Sequence, residues 1–337
     1  MSYQVQIADT DHQFEVEADE SIIDAAMRAG LMLPYSCRSG TCGTCMGQVM
    51  EGQIHYPDGL PPAIDSDQDS EGKALFCQAR ADSDLVIQVG EVREAGDIQP
   101  QRLPARVERI EECAPDVRRL FLKLPRDKRL PFLAGQYIDF LLRGGQRRSF
   151  SLANAPHDDE WLELHIRHLP GGVFSGHVFN DMKEGALLRF EGPLGNFFLR
   201  EDSDRPMILI GGGTGFGPIK GIVEHALHLG VTRPMHVYWG ARAKVDLYLD
   251  ELPERWASEH ANIHYTPVLS EPAADDQWSG ATGFVHEKVL ADHPDLSGHD
   301  VYMSGPPPMI NAAREGFIAA GLPADHLYYD SFEAAPE

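Results

Sequence analysis

Residues 37–45 read CRSGTCGTC, so three cysteines fall within nine residues, and a fourth stands far downstream at Cys77. Thiolates are soft metal ligands, and C-x4-C-x2-C with a distant fourth cysteine is the spacing that holds a two-iron, two-sulfur cluster. Cys37, Cys42, Cys45 and Cys77 are the candidate ligands. The chemistry needs a loop that wraps closely and turns its N–H groups toward sulfur, which suits Gly40 and Gly43. Ser39, Thr41 and Thr44 add little bulk and carry hydroxyls. A structural zinc site pairs two close-spaced knuckles, whereas the fourth cysteine here stands alone. A disulfide is disfavoured in a reducing compartment. Cys113 lies outside the pattern and reads as a buried apolar thiol.

A second constellation is GGGTGFGP at 211–218, between an apolar strand, PMILI, and the helical stretch IKGIVEHALHL. Strand, glycine turn and helix is a general way to bind a pyrophosphate, because the helix N-terminus offers free N–H groups and a positive dipole end. It is not the usual dinucleotide fingerprint. Placed on Gly211 and Gly213, G-x-G-x-x-G needs glycine where Phe216 stands, and the next strand, MHVYWGAR, does not end in an acidic residue. Arg242 and Lys244 follow that strand. They could clamp a 2′-phosphate, pair with Asp246, or be plain surface charges. The fifteen histidines show no H-E-x-x-H spacing. His165 and His168, three apart on a strand, point to opposite faces, so no further metal site is read.

The elements that must position these groups fall into three stretches. YQVQI and FEVEA alternate as half-buried strands do. Ser21 caps the helix of SIIDAAMRAG, Gly30 ends it, and LVIQV at 85–89 closes the segment. The aperiodic AGDIQPQRLP reads as linker. From 103, the stretches RVERI, VRRLFLKL, QYIDFLL, RSFSLA, WLELHIRHL and ALLRFEG predict six short strands of an antiparallel barrel, interrupted by a helix near 173–182. From 204, strands alternate with helices, which predicts a parallel sheet.

Residues 1–90 thus resemble a plant-type ferredoxin of the β-grasp fold. RSFS at 148–151 resembles the R-x-Y-S motif of the ferredoxin–NADP reductase superfamily. That resemblance implies that Arg148 pairs with a flavin pyrophosphate, Phe150 packs on the isoalloxazine and Ser151 hydrogen-bonds near N5, with Ser149 also in the site. Phenylalanine in place of tyrosine keeps the ring face and loses a hydroxyl. GGVFS at 171–175 resembles the second phosphate-binding turn, with Gly171, Gly172 and Ser175 as candidates. EGPLGNF at 191–197 resembles the turn at the barrel's end; it also reads as a plain Pro/Gly turn and is given no chemistry. The glycine turn resembles the superfamily's GGGTG-x-x-P, which assigns Gly211, Gly212, Gly213, Thr214 and Gly215, with Arg242, to the nicotinamide nucleotide. SGPPPM at 304–309 resembles CGPPxM, whose cysteine lies by the nicotinamide ring. Here that residue is Ser304, followed by Gly305 and Pro306. Serine keeps a small polar group and loses the polarizable thiol. Ser151 and Ser304 are therefore placed at the reacting atoms. Phe332 is either an aromatic cover for the flavin or ordinary packing.

Together these features resemble one architecture: the electron-transfer reductase of multicomponent bacterial oxygenases. The same arrangement occurs in reductases of CDP-6-deoxy-glucoseen synthesis. The expected fold class is multidomain α+β, all-β and α/β. The expected domains are a β-grasp ferredoxin at 1–94, a linker at 95–102, a six-stranded antiparallel FAD barrel at 103–202 and a parallel-sheet NAD(P)H domain at 203–337. The expected cofactors are a [2Fe–2S] cluster, FAD, and NADH or NADPH, with a lean to NADH.

The net charge of −23 and pI near 4.9 argue against nucleic acid and anionic membranes. The first 95 residues carry 17 acidic side chains against 5 Lys and Arg, which is either a solvated surface or a docking face. The N-terminus has no basic and apolar leader, and no apolar run reaches membrane-spanning length, so a cytoplasmic monomer is expected. The expected partner is a basic-patched electron acceptor docking on the ferredoxin: a terminal oxygenase first, a deoxysugar dehydrase second. A free-flavin or ferric diaphorase and a non-enzymatic redox sensor are the other readings.

Overall fold

The computed structural model describes residues 1–94, 96 and 98–333. It forms two compact units, Met1–Gln99 and Pro100–Phe332. Ala95 and Asp97, in the expected linker, lie outside the described residues, as do the last four residues of the expected NAD(P)H domain.

In the first unit a five-stranded sheet runs, in spatial order, Gln13–Glu17, Ser2–Ile7, Leu85–Gln88, Met46–Glu51 and Lys73–Leu75. The opening hairpin buries Val5, Ile7, Phe14 and Val16, the apolar half of its alternation. The helix Ile22–Arg28 buries Ile22, Ile23, Ala25 and Ala26. Ser21 caps it, its Oγ accepting from the Asp24 N–H at 3.0 Å, and Gly30 follows at φ +78°.

In the second unit six strands pair in the order Arg147–Ser151, Tyr137–Leu141, Leu187–Leu194, Gln101–Ala114, Val117–Lys123 and Leu162–Arg167, every pairing antiparallel. A bridge between Leu152 and Leu164 joins the two outer strands and closes the barrel. Two sequence expectations are corrected here. The first barrel strand begins at Gln101, inside the expected linker, because Leu103, Ala105 and Val107 alternate inward through a stretch whose prolines masked the period. The EGPL segment is not a turn: the strand Leu187–Leu194 runs through it, with a cis Gly192–Pro193 bond.

The parallel sheet runs Ala281–Thr282, Ile263–Leu269, Met235–Ala241, Met207–Gly212, Asp300–Gly305 and Leu327–Ser331. The sequence reading missed the last strand, whose aromatic YYDS did not look like a sheet edge. Met207–Gly212 and Asp300–Gly305 are buried throughout, as central strands covered on both faces must be. Leu209, Val237 and Tyr302 feed one core, and Ile208, Ile210, Val301 and Met303 the other. The chain runs outward from Met207–Gly212 to one side and returns on the other at Asp300–Gly305. This reversal point is where open α/β sheets bind ligands.

Candidate functional site

The cysteine loop is folded for close wrapping. Arg38, Gly40 and Gly43 all have positive φ, and a Cβ on Gly40 would sit 2.7 Å from the Pro61 Cβ. Arg38, which pays strain there, is ion-paired with Asp24 of the first helix. The Phe76 N–H donates to the Cys45 carbonyl at 3.2 Å and brings Cys77 to the loop. The thiols stand in two hydrogen-bonded pairs, Cys37 with Cys42 and Cys45 with Cys77. Within each pair one thiol is eased toward thiolate. Cys37 is lowered to about 4, first by the hydrogen bond from Cys42 and then by Ser39 and Thr41, while Cys42 is pushed up. Cys77 is lowered and Cys45 raised in the same way. The Ser39 N–H and the Thr41 hydroxyl each reach the Cys37 sulfur at 3.4 Å. The two thiol pairs with donors aimed at sulfur supply the four thiolates that a cluster of two irons takes, although among the described residues no three ligating side chains stand together as a metal site. Cys113 is not the apolar thiol expected. It is half-buried beside Glu111 and Arg119, because its strand bulges between Glu112 and Ala114.

On the barrel, the strand Arg147–Ser151 carries the flavin candidates. The Arg148 guanidinium donates to the Arg147 carbonyl at 2.7 Å, and the exposed Ser149 donates to Asp139 at 2.6 Å. Phe150 is half-buried, its ring 5.7 Å from that of Phe140 and 5.2 Å from that of Phe174. Phe174 lies on the helix Val173–Asn180, so this contact brings the RSFS strand and the GGVFS turn together. Gly171 has φ +77° and open space where a side chain would be, and Gly172 caps the helix without a side chain in the way. The Ser175 hydroxyl is used inside the turn, accepting from the Leu169 N–H at 3.1 Å.

On the parallel sheet, the glycine turn and the SGPPPM segment interlock. Gly211 pairs with Ser304 across the sheet. A Cβ on Gly215 would sit 2.0 Å from the Ser304 carbonyl oxygen, and one on Gly212 2.6 Å from the Met309 sulfur and 2.9 Å from Pro306. The turn is steadied by Trp239, whose Nε1–H donates to the Gly213 carbonyl at 3.0 Å while its ring stacks on Phe216 at 3.8 Å. Thr214 is half-buried in this turn. Ser304 is fully buried and its hydroxyl has no hydrogen-bond partner among the described residues. An orphaned hydroxyl between two glycine turns fits a site built to meet a polar ring.

The two halves meet. Ser151 donates to Asp330 at 2.8 Å, and the Phe332 N–H donates to the Gly305 carbonyl at 3.0 Å. Ser151, Gly305 and Phe332 thus gather beside Ser304, the first through a bond between residues 179 apart. Arg242 stands apart from them. It is exposed and ion-paired with Asp246 at 3.4 Å and Asp116 at 3.5 Å. Lys244 is exposed. The sequence reading missed Asp330, which stands two residues before Phe332, and Arg167, whose guanidinium lies about 3.6 Å from a Cβ placed on Gly213. It also missed Lys220, a charge within the apolar first half of the helix after the glycine turn, which was a visible signal.

A paired-cysteine loop, a closed six-stranded barrel and a parallel sheet with interlocked glycine turns define an iron–sulfur flavoprotein oxidoreductase. The chain matches the 2Fe-2S iron-sulfur cluster binding domain at residues 5–82, the oxidoreductase FAD-binding domain at 104–199 and the oxidoreductase NAD-binding domain at 209–315. It is 40% identical over 333 residues to the CDP-6-deoxy-L-threo-D-glycero-4-hexulose-3-dehydrase reductase of Yersinia pestis, covering 98% of this chain and 99% of that protein. It is 34% identical over 336 residues to reductase component 1 of the terephthalate 1,2-dioxygenase of Comamonas sp, covering 100% and 99%. Among solved structures, the Amycolatopsis cytochrome P450 reductase GcoB superposes with a TM-score of 0.84 at 32% identity, covering 99% of this chain and 100% of that one. The chain belongs to this family of NAD(P)H-dependent iron–sulfur flavoprotein reductases, whose cofactors are a [2Fe–2S] cluster, FAD and a nicotinamide nucleotide. Among the described residues no helix is long and apolar enough to cross a membrane.

Proposed function

We propose that this chain takes electrons from NADH and delivers them, through FAD and the cluster, to a terminal oxygenase as a cytoplasmic monomer. The observation that carries the relay is the Ser151–Asp330 bond, which holds the flavin strand against the sheet edge beside Gly305 and Ser304. When bound, the nicotinamide supplies a hydride, the flavin splits its two electrons, and the cluster carries one at a time. The chain's own part is to bind and orient. Arg148 and the Gly171–Gly172 turn take the flavin phosphates, the helix dipole behind the turn favouring the anion. Gly211–Gly215 admit the nucleotide backbone, the Ser304 hydroxyl meets the ring's polar edge, and Phe332 excludes water from the flavin. Cys37, Cys42, Cys45 and Cys77 hold the irons. In this reading the ferredoxin and FAD domains are divided between 94 and the strand that begins at Gln101, and the FAD and NAD(P)H domains at 202/203.

Asp246 and Asp116 support NADH over NADPH. They already neutralise Arg242, so a 2′-phosphate would meet two carboxylates. The docking face is the exposed acidic run Asp65, Asp67, Asp69 and Glu71, which follows directly on the Pro61–Ile64 segment packed against the cysteine loop. A basic partner meeting it is steered by charge. A second acceptor, a deoxysugar dehydrase, is favoured by the 40% identity to the Yersinia pestis reductase. Reconstitution with each purified acceptor separates the two. For either, acceptor reduction slows as salt rises, and a salt-independent rate would overturn the docking assignment.

A further inference from the structure

The helix that follows the glycine turn, Phe216–His228, lies directly on the barrel. Its contact face is Gly217, Lys220, Gly221 and Glu224, a stripe at helical spacing. Two glycines let the backbones approach. A Cβ on Gly217 would stand 3.4 Å from the Ala153 Cβ, and one on Gly221 3.0 Å from the Asn154 carbonyl oxygen. Between them Lys220 is buried in a place that apolar packing would fill more cheaply.

Each of its three protons has an acceptor. Lys220 Nζ donates to the Ala153 carbonyl at 3.2 Å, to Glu163 Oε2 at 3.0 Å and to Glu224 Oε2 at 2.9 Å. Glu163 is fixed in turn from the barrel side. Its other oxygen accepts from Arg119 Nε at 2.8 Å and from His165 Nε2 at 2.8 Å, and its own N–H is held by Asn154. His165 is buried, and burial lowers its pKa; with Nε2 donating to Glu163, its Nδ1 accepts from the Tyr248 hydroxyl at 2.9 Å. Tyr248 stands edge-on to Trp239, the residue that grips the Gly213 carbonyl. Ala153, at the near end of this chain of bonds, lies two residues beyond Ser151.

We infer that Lys220 is a positioning residue for hydride transfer: with Glu163 it registers the glycine-turn helix against the strand that carries Ser151. Packing through two glycines brings the helix close but leaves it free to slide, and a three-way charged hydrogen-bond set fixes the register in direction as well as distance. Hydride transfer is sensitive to small displacements between donor and acceptor, and a misplacement of about 1 Å from a distant change costs up to about a hundredfold in rate. The inference rests on the reading that the barrel holds FAD and the parallel sheet holds NADH.

The test is anaerobic stopped-flow reduction of the full-length holoprotein by NADH, read at the flavin absorbance. In Lys220→Met the rate at saturating NADH falls about tenfold or more, with little change in the dissociation constant for NADH and none in the later flavin-to-cluster phase. The double variant Lys220→Met with Glu224→Gln removes the carboxylate that loses its partner. It recovers melting temperature but not rate. A Lys220→Met rate equal to wild type, or a double variant whose rate recovers in step with its melting temperature, would overturn the inference and reduce Lys220 to a fold-holding residue. A wild-type flavin that NADH does not reduce would overturn the underlying relay reading, and this inference with it.

Discussion

The cysteine loop and the junction of barrel and sheet solve the same problem, holding a redox group still, by opposite means. The loop is local. Three of its four candidate cysteines lie within nine residues, and its shape comes from positive φ at Gly40 and Gly43 and from the absence of bulk. The junction is assembled from segments far apart in sequence, and polar groups hold it: Ser151 to Asp330, Lys220 to Glu163, His165 to Tyr248. A local site is specified by spacing. A composite one is specified by hydrogen bonds whose partners spacing does not reveal. The loop therefore depends on its ligands one by one, whereas the junction depends on register.

The largest effect that separates the two regions comes from Cys77→Ser. It is expected to abolish the iron–sulfur absorbance while leaving flavin content and NADH oxidation by a small-molecule acceptor near wild type. Loss of flavin in that variant would break the contrast. Next is Gly215→Ala. Its new Cβ would stand 2.0 Å from the Ser304 carbonyl oxygen, so backbone must move. Overpacking of this kind costs about 1–3 kcal/mol, and NADH affinity in a binding titration falls about tenfold with the cluster spectrum unchanged.

Glu163→Gln sharpens the electrostatic side. Burial opposes the Glu163 charge, but the His165 hydrogen bond and the charges of Lys220 and Arg119 outweigh it and hold the carboxyl well below the usual carboxylate range. A depressed carboxyl contributes stability that is fully present above its unfolded value of about 4.3 and is lost as pH falls toward the folded value. The variant is therefore expected to lose about 3 kcal/mol at pH 7, with the gap to wild type narrowing below about pH 4. A gap that stayed constant across that range, in melts at stepped pH, would contradict the charged bolt. The smallest effect is Asp116→Asn. It relieves one of the two carboxylates on Arg242 and narrows the ratio of kcat/KM for NADH over NADPH by about threefold, worth under about 1 kcal/mol for an exposed pair. An unchanged ratio would remove Asp116 from nucleotide choice.

The same contrast explains what the sequence made legible. The sheet types were readable because alternation in YQVQI and RVERI, and apolar runs before glycine turns, follow from the period of strands. The candidate cluster cysteines could be singled out because the chemistry of a cluster constrains spacing. The Pro/Gly signals misled where tertiary pairing overrode them, at Gln101–Pro104 and at Gly192–Pro193. Ser151 and Ser304 were visible through resemblance, but the tie from Ser151 to Asp330 was not, since no period links residues 179 apart. Lys220 was visible only as an anomaly, a charge among apolar neighbours. Its meaning lies in Ala153 and Glu163, which the barrel supplies.

The most direct test of the relay is an anaerobic visible spectrum of the purified protein before and after NADH. Bleaching of both flavin and iron–sulfur absorbance is the expected result, because hydride entry and passage to the cluster must both work. Bleaching of the flavin alone, with the cluster left oxidised, would contradict the relay and leave a diaphorase.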